Sequence, residues 1–581
     1  MTTDPTAGDP ASIRAIAATL QRRAGEIRTA AGRVQRQADA VSAGEWTGKS
    51  RTPFVHAAAD VSTGGERVAT QVDQVATVLT TYAARVEQIQ DEARTIKSAQ
   101  ARNQHDAVTN SRSTQKLQDS HAMDVAAQLG GLAVEAASLI ASKRALDQSW
   151  DDLVARRKAA DAATASKLRS SDSIGAFSVS ASSISGMSDS QFLTFLAGLR
   201  PEEVAAFAGN STIADRLAGL KDSNAVAKWW SGLGGEHGKG TKGEHSAAQD
   251  AFIAAFPAAV GNLNGVAYWA RDRANRHVLQ DAFTSAKEQV ARLEALRNGP
   301  DWSPALEQRL IDATTYRDQL KNFEAGSRKE YSLTKPAERQ VVSLHLGPPP
   351  LGSISIGDLD AAQNATFVVP GMGTTLGDTT RLLQAAANVR NSQAAYTNDD
   401  TAVVAWIGYE TPGPITSGDP AVLYDRKAEE GAPRFASDLE GYRASVGDST
   451  KLNVVAHSYG TTMTSITLHD HPDLGVNSYV ALGSAGIPLE VPDAAGLHAE
   501  HVYAGTGAEW VAPGGRFASG RRDPGGFGFG ADHLDVGAGG GNSGVNVHDP
   551  LMHDGEKHQD QWGYFDLKTN SLLNTAKATT E

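Results

Sequence analysis

The stretch Lys451–Asp470, KLNVVAHSYGTTMTSITLHD, places a serine directly after a run of apolar residues. The run LNVVA is typical of a buried strand, and GTTMTSITL after the serine predicts a helix. A strand, a sharp turn and a helix would hold the hydroxyl of Ser458 outward at the turn. Small neighbours are needed there because the helix passes close to the strand, and Ala456 and Gly460 are small. We therefore predict that Ser458 is a nucleophile.

Four further apolar runs surround this stretch, and segments with helical patterns separate them. They are ATFVVPG, TAVVAWIGYETP, NSYVALGSAG and AEHVYAGTG. Intervals of roughly 20 to 50 residues between the runs leave room for crossover helices, which join parallel strands. The five runs predict an α/β fold with a doubly wound, mostly parallel sheet over residues 346–581.

A turn that contains glycine follows the first of these strands, in FVVPGMGTTLGD. Gly371 and Gly373 would allow backbone amides to approach a ligand, and a serine nucleophile needs amides that bind a developing oxyanion. We predict the amides of Met372 and Tyr459 as these donors. A phosphate-binding loop is the alternative, but this G-x-G lacks the third glycine of such loops.

An acid and then a histidine are expected after a serine nucleophile of this kind. Glu509 directly follows the strand in HVYAGTG and is the predicted acid, with Asp493 as the alternative. Asp523, Asp532 and Asp535 are the other acids nearby.

Three histidines in VNVHDPLMHDGEKHQDQWGYFDLKTNSLLNTA are candidates for the base: His548, His553 and His558. We predict His558, because it leads into a last helix that would anchor it against the sheet. His553 is the alternative, although it and His548 flank a glycine and a proline in looser chain. The histidines alternate with aspartates, so a metal site is a competing interpretation, but their even spacing suits neither a helix nor a strand. We expect no metal and no cofactor.

Residues from about 350 to the end resemble an actinobacterial α/β-hydrolase family catalogued as a domain of unknown function. The resemblance is carried by PGMGTT, AWIGYETP, AHSYGTT, GSAG and HQDQWGYFDLKTNSLLNTA. It implies an α/β-hydrolase fold and a serine hydrolase, similar to esterases and lipases. Ser458, Glu509 and His558 would act on a small-molecule or lipid ester. The segment PAAVGNLNGVAYWARDRANR is similar to one that commonly precedes this domain.

Two long helical seams occupy the N-terminal part of the chain. Apolar or small residues recur at alternating intervals of three and four from Ile13 to Val41 and from Phe54 to Ile96. Helices with such seams pack antiparallel when a short turn joins them, which predicts an all-α hairpin over residues 1–105. The turn AGEWTGKSRTPF contains Trp46 and Gly48 and resembles the WxG family of helical hairpins exported by type VII secretion. The resemblance implies export and a helical-hairpin partner protein.

The region 106–345 is predicted to be mostly helical. It contains the adjacent Trp229 and Trp230, and aromatic residues in a helical stretch are more often part of a core than a ligand platform.

Composition narrows the possible partners and compartments. The formal net charge is -13 and no basic cluster is evident, which argues against a nucleic-acid partner. With Cys 0, disulfides and thiol chemistry are excluded. The first residues do not resemble a Sec signal peptide, and no apolar run is long enough for a transmembrane segment. We expect a cytoplasmic protein or one exported by type VII secretion.

Two alternatives to a simple esterase follow from the predicted hairpin. The first is an exported effector or toxin with a hydrolase as its active part. The second is a non-catalytic scaffold associated with secretion. A Ser, an acid and a His in this order favour an enzyme over a scaffold.

Overall fold

We describe a computed structural model of the chain, covering residues 4–40, 51–118, 125–170, 184, 186–234, 245–297, 303–328, 337–414 and 420–581. The chain divides into two compact units, Met1–Ile184 and Ser185–Glu581. The sequence predicted three regions, with limits at residues 105 and 345. The structure instead assigns the first part of the middle region to the N-terminal unit and the rest to the sheet-containing unit.

The N-terminal unit contains three long helices, α1 Pro10–Ala40, α2 Arg51–Gln118 and α3 Val125–Ser170. Ala24 of α1 packs against Ala69 and Val72 of α2. Near the other end of α1, a Cβ on Gly65 would lie 2.7 Å from that of Ala31. The contacts run in opposite directions along the two helices, so the predicted antiparallel hairpin is confirmed. The segment predicted as its turn, with Trp46 and Gly48, lies outside the described residues.

The third helix extends this unit beyond the predicted limit at residue 105. Leu153 of α3 packs with Ile89 and Ala93 of α2. Farther along α2, where the apolar seam ends, the amide of Asn110 donates to Leu132 O at 3.1 Å. Polar pairing replaces apolar contacts there, so the periodicity of the sequence gave no indication that the helix continues.

The second unit begins with helices that connect to the sheet. Trp229 and Trp230 lie edge to face, 5.8 Å apart, and are 5% and 1% exposed, so they belong to the core as predicted. The helices of this part are α4 Asp189–Ala197, α5 Pro201–Ala206, α6 Ser211–Ala218, α7 Ser223–Gly232, α8 Ala247–Ala255, α9 Pro257–Val260, α10 Tyr268–Leu296 and α11 Pro304–Arg328.

An eight-stranded sheet forms the centre of this unit in the described chain, with the strand order β1-β2-β4-β3-β5-β6-β7-β8. From β4 to β8 the neighbouring strands are parallel, whereas β1, β2 and β4 pair antiparallel. The predicted mostly parallel, doubly wound sheet is therefore confirmed. The strands are β1 Arg339–His345, β2 Leu351–Ile356, β3 Asn364–Val369, β4 Thr401–Ile407, β5 Lys451–His457, β6 Val476–Leu482, β7 Ala499–Gly505 and β8 Asp532–His533.

Helices cover both faces of the sheet. Two separate apolar cores result, one containing Trp406 and Phe435 and the other Val403 and Leu383. Because strands buried on both faces need apolar residues at every position, β3 and β4 were visible in the sequence as continuous apolar runs. The remaining helices are α12 Thr379–Gln393, α13 Arg426–Val446, α14 Tyr459–Asp470, α15 Val511–Ser519 and α16 Asn570–Ala578.

The sequence missed the two antiparallel strands β1 and β2, and β1 precedes the predicted domain limit at 345. Both strands carry serines that are buried but paired, since the hydroxyls of Ser343 and Ser353 lie 2.6 Å apart. Polar residues satisfied inside the sheet conceal the apolar pattern of a strand.

Helix α10 is fixed to the sheet by buried polar groups. The carboxylate of Asp360, just after β2, accepts hydrogen bonds from the amides of Tyr268 and Trp269 at 2.7 Å each. One turn along α10, Asp272 accepts a hydrogen bond from the amide of Val341 in β1 at 2.6 Å. The two bonds to Asp360 satisfy free amides at the start of α10, and the bond to Asp272 attaches the helix to β1. Much of the predicted middle region is therefore part of the sheet-containing unit. None of the described helices combines the length and apolar character needed to cross a membrane.

The packing of α3 on α2 leads to a stability prediction for residues 1–184. Leu153→Ala should lower the free energy of unfolding by roughly 2–5 kcal/mol, because it leaves a cavity in the apolar cluster that Leu153 forms with Ile89 and Ala93. Val134→Ala on the same helix is the matched control, since Val134 is 73% exposed. Thermal unfolding followed by circular dichroism measures both. Equal midpoints for the two variants would contradict the packing of Leu153 against α2.

Candidate active site

Ser458 lies at the turn between β5 and α14, as the sequence predicted, and its backbone has φ 56 and ψ -128. This region is unfavourable for a residue with a side chain. Two close approaches surround the turn. A Cβ on Gly460 would lie 2.6 Å from Pro370 O, and a Cβ on Gly371 would lie 2.4 Å from the Cβ of Ser458. Glycine is required at both positions for steric reasons.

A hydrogen-bonded chain joins Ser458 to a histidine and an acid. Nε2 of His548 lies 2.8 Å from Oγ of Ser458, and Nδ1 of the same ring lies 3.1 Å from Oε1 of Glu509. The side chains of His548 and Glu509 are 12% and 3% exposed, and Ser458 is 3% exposed. Such a chain has the geometry that a nucleophile, a base and an acid that orients the base would require.

The structure does not bring His558, the predicted base, to the serine. Nδ1 of His558 lies 2.8 Å from Oδ2 of Asp554, and these two side chains are 39% and 44% exposed. His553, the alternative, stacks on Trp562 with ring centroids 3.7 Å apart. The histidine next to Ser458 is His548.

Backbone pairing explains why His548, the first of the three candidate histidines, lies at Ser458. Ala508, beside Glu509, donates its amide to Val545 O at 2.8 Å, three residues before His548. The later chain returns to this point, because Tyr564 donates its amide to Asp549 O at 3.2 Å. Residues 551–561 therefore form a loop between these two pairings, in which His553 contacts Trp562 and His558 contacts Asp554. The alternation of apolar residues in GVNV before His548 was the signal available in the sequence.

Glu509 is the carboxylate that lies next to the ring of His548, whereas Asp493 makes different contacts. The carboxylate of Asp493 accepts a hydrogen bond from the amide of Gly496 at 3.0 Å and caps a short 3-10 helix.

Four donors surround the carboxylate of Glu509. Besides His548, the hydroxyl of Tyr564 donates to Oε1 at 3.3 Å, and the amide of Ala512 donates to Oε2 at 3.1 Å. Burial acts to raise the pKa of Glu509, but the hydrogen bond to His548 and the amides of Ala512 and Val511 outweigh it, so the pKa lies below its ordinary value. Glu509 is therefore held as a carboxylate.

Tyr564, which no pattern in the sequence indicated, fits beside Glu509 because of a glycine. Its hydroxyl also accepts a hydrogen bond from the amide of Gly507 at 3.0 Å. A Cβ on Gly483, at the end of β6, would lie 2.8 Å from the ring of Tyr564, and Gly483 has φ +53. The first glycine of GSAG therefore provides the space for this ring.

The turn after β3 is held by the segment AWIGYETP. The hydroxyl of Tyr409 donates to Pro370 O at 2.8 Å, and the amide of Gly373 donates to Pro412 O at 2.8 Å. The amides of Met372 and Tyr459, the predicted oxyanion donors, flank Ser458 and donate no hydrogen bond within the described chain. They are thus available to a ligand.

The side chain of Tyr459 is anchored below the turn. Its hydroxyl donates to Tyr424 O at 2.6 Å and accepts from the amide of Ala428 at 3.2 Å. The guanidinium of Arg521 lies 5.2 Å from the centre of the ring and pairs with Asp425. Burial raises the pKa of Tyr459 to about 12. These contacts fix the peptide that carries the Tyr459 amide.

A cavity of about 330 Å³ opens at Ser458 and His548. Apolar side chains form part of its lining, and so do Arg381 and Asp549, which are hydrogen-bonded at 3.0 Å. His457 also lines the cavity, and burial together with the nearby His548 and Arg381 lowers its pKa well below the ordinary value. His457 is therefore neutral. The remaining lining residues include Met372, Leu382, Pro414, Val511, Pro550 and Phe565.

The alternative interpretation, in which His548, His553 and His558 belong to a metal site, is not supported by the geometry of this segment. Within the described residues, no group of three or more His, Asp and Glu side chains is placed to hold a metal ion. His548, His553 and His558 point to three different partners, Ser458, Trp562 and Asp554.

Two family models match parts of the chain. Residues 350–518 match a family described as alpha/beta hydrolase, and residues 6–108 match a family described as proteins of 100 residues with WXG. The first match contains Ser458 and Glu509 and ends before His548.

The relatives found among curated proteins are mycobacterial. An uncharacterized protein of Mycobacterium tuberculosis is 29% identical over 294 residues, which are 48% of this chain and 42% of that protein. An uncharacterized protein of Mycobacterium bovis is 25% identical over 223 residues, 36% of this chain and 78% of that protein. The chain thus covers less than half the length of the first of these relatives, and no solved structure matches it. The chain contains an α/β-hydrolase domain in its C-terminal region and a WXG-type helical domain in its N-terminal part.

Proposed function

We propose that this chain is a serine hydrolase that cleaves an ester with Ser458, His548 and Glu509. The observation that carries the proposal is the pair of hydrogen-bond distances at His548, 2.8 Å to Ser458 Oγ and 3.1 Å to Glu509 Oε1. The ring lies beside a cavity large enough for a small acyl or alcohol group. A nucleophile, a base and an orienting acid in one chain, next to an accessible cavity, favour catalysis over a scaffold.

The reaction consists of two acyl transfers. Oγ of Ser458 attacks the ester carbonyl while Nε2 of His548 takes its proton, and Glu509 holds Nδ1–H and stabilises the imidazolium. Nε2–H of His548 then gives its proton to the departing alkoxide, which leaves as an alcohol. Water, activated by the same nitrogen, attacks the acyl-enzyme and releases the acid together with the free serine.

The amides of Met372 and Tyr459 would bind the negative oxygen of each tetrahedral intermediate. Both flank Ser458, and neither donates to another group in the described chain. The loss of one such donor typically costs about 3 kcal/mol of transition-state stabilisation. No step of this mechanism uses a metal or cofactor.

The N-terminal unit is proposed to be a secretion domain. The match of residues 6–108 to the WXG family and the antiparallel hairpin of α1 and α2 support this assignment. A helical-hairpin partner and export by type VII secretion follow from it as proposals, with the hydrolase domain as the exported activity.

The first prediction separates His548 from His558. His548→Ala and Ser458→Ala should each lower kcat for p-nitrophenyl butyrate by roughly three orders of magnitude, and the double variant should be no worse, because the residues act as one unit. His558→Ala should keep the wild-type kcat, since its ring pairs with Asp554. Labelling of Ser458 by a fluorophosphonate probe, mapped to its peptide, provides a second readout. A loss with His558→Ala and none with His548→Ala would refute the assignment.

The second prediction concerns Tyr564 as a positioning residue for Glu509. Tyr564→Phe should lower kcat about tenfold with little change in KM, because it removes one charge-assisted hydrogen bond from the acid. It should also shift the pH dependence of kcat, since the carboxylate that faces His548 loses a donor.

Tyr479→Phe is the matched control for this experiment. Tyr479 is as buried as Tyr564, and its hydroxyl also donates one hydrogen bond, to Thr461 O, and accepts one, from Thr464. Neither bond involves the acid or the histidine. The same change in kcat and pH profile with both variants would show that Tyr564 has only a structural role.

The third prediction uses the division into two units. Residues 185–581 contain all three proposed catalytic residues, so this fragment should hydrolyse p-nitrophenyl butyrate with the kcat/KM of the full chain. The Ser458→Ala form of the fragment is the control for background hydrolysis. A folded but inactive fragment would mean that the N-terminal unit takes part in the reaction.

A further inference from the structure

Three aromatic side chains after the proposed acid project into solvent. Trp510 is 78% exposed, Phe517 is 92% exposed and Phe527 is 112% exposed. They are the three most exposed large apolar side chains in the described part of the chain. Exposed apolar residues that occur together, rather than singly, usually mark an interaction surface. We call these three residues the aromatic rim.

The aromatic rim adjoins the cavity. Trp510 stands between Glu509 and Val511, and Val511 lines the cavity. The ring of Trp510 lies along α15, since a Cβ on Gly514 would be 3.2 Å from that ring. Phe517 is seven residues after Trp510 and therefore on the same face of the helix.

Two contacts place α15 and the chain after it at the carboxyl edge of the sheet, where the site lies. Arg516 of α15 donates to Ser484 O, just beyond β6, at 2.7 Å. The backbone of Arg522 pairs with that of Ile487, which also follows β6. Leu489, two residues after Ile487, is 58% exposed. The rim and the mouth of the cavity are thus on the same edge.

The shape of the rim favours a fluid apolar phase over a protein partner. Its side chains project from a helix and from a loop tip, and none of them lines the cavity. A protein partner would need a pocket for each projecting ring. Lipid acyl chains adapt to such rings, and aromatic side chains are favoured at the boundary between lipid and water.

The charge of the rim indicates neutral lipid. Arg516 and Arg521 are buried and paired with Asp523 and Asp425, which leaves Arg522 as the exposed cation of the segment 510–530 in the described chain. The whole chain carries a formal charge of -13. An anionic surface would be repelled, since electrostatic attraction to such a surface requires clustered Lys and Arg.

We propose that the aromatic rim inserts into a neutral lipid surface and that the substrate of the site is a lipid ester held in that surface. Insertion would place the cavity mouth against the lipid, so that an acyl ester could reach Ser458 without crossing water. The substrate part of this inference rests on the proposed function, whereas the binding part does not.

The binding test uses the full chain with Ser458→Ala, so that hydrolysis cannot alter the vesicles. It should float with phosphatidylcholine vesicles in a density gradient, and float less well when phosphatidylglycerol is mixed in. The double variant Phe517→Ser/Phe527→Ser should no longer float. Tyr396→Ser is the matched control, because Tyr396 is 41% exposed but lies between α12 and β4, at the opposite edge of the sheet.

The activity test uses the same substitutions with an intact Ser458. The double variant should hydrolyse soluble p-nitrophenyl butyrate at the wild-type rate but act on a tributyrin emulsion at least about tenfold more slowly, because surface binding scales with the apolar area buried. An unchanged thermal midpoint, together with the soluble activity, shows that the variant is folded. Trp510→Ser provides an independent second variant with the same expected loss of flotation.

The outcomes are distinct. Absence of flotation by the Ser458→Ala protein, or undiminished flotation of the double variant, overturns the proposal that the aromatic rim inserts into a lipid surface. A dimer that sedimentation detects only when the rim is intact, without flotation, overturns it in favour of a second copy of the chain. Flotation that depends on the rim, with no ester hydrolysis by the wild type, supports the surface and refutes the proposed function instead.

Discussion

The unusual backbone conformation of Ser458 is the constraint on which the site depends. A residue with a side chain in this region costs about 1–3 kcal/mol and persists only when its surroundings require it. Here the amide of Ser458 donates to Leu482 O, and Ser458 O accepts from the amide of Ala485. These bonds fix the turn to the end of β6. The absence of side chains at Gly371 and Gly460 allows β3 and α14 to close around it.

Burial of a carboxylate imposes the second constraint. An unpaired charge in the interior is strongly unfavourable, so Glu509 requires enough donors to remain ionised. His548 supplies one and Tyr564 another, while backbone amides at the start of α15 supply the rest. Gly483 contributes indirectly, because it makes room for the Tyr564 ring. The motifs GSAG and GYF are far apart in the chain, and together they place one hydrogen-bond donor at the carboxylate of Glu509.

The two units achieve stability by different means. The helices of the N-terminal unit meet through small residues such as Ala24 and Ala69, and through polar pairs along the rest of α2. The sheet-containing unit has two apolar cores with large buried side chains, including Trp406 and Tyr442. Contacts between small alanine side chains bury little apolar surface, so local opening of such a unit costs little free energy. This difference suits the proposal of a separable secretion domain joined to an α/β-hydrolase domain with a larger core.

The sequence by itself determined the five parallel strands β3 to β7, the hairpin, and the positions of Ser458 and Glu509 after their strands, because these features depend on local apolar periodicity and short turns. It did not determine which histidine meets Ser458, the role of Tyr564, or the extent of α2. These depended on contacts between distant segments. The pairing of Ala508 with Val545 places His548 near Ser458, and α3 packs along the later part of α2. A loop has no periodicity to reveal its path. Only the tertiary structure decided that His548 contacts Ser458, whereas His553 contacts Trp562 and His558 contacts Asp554.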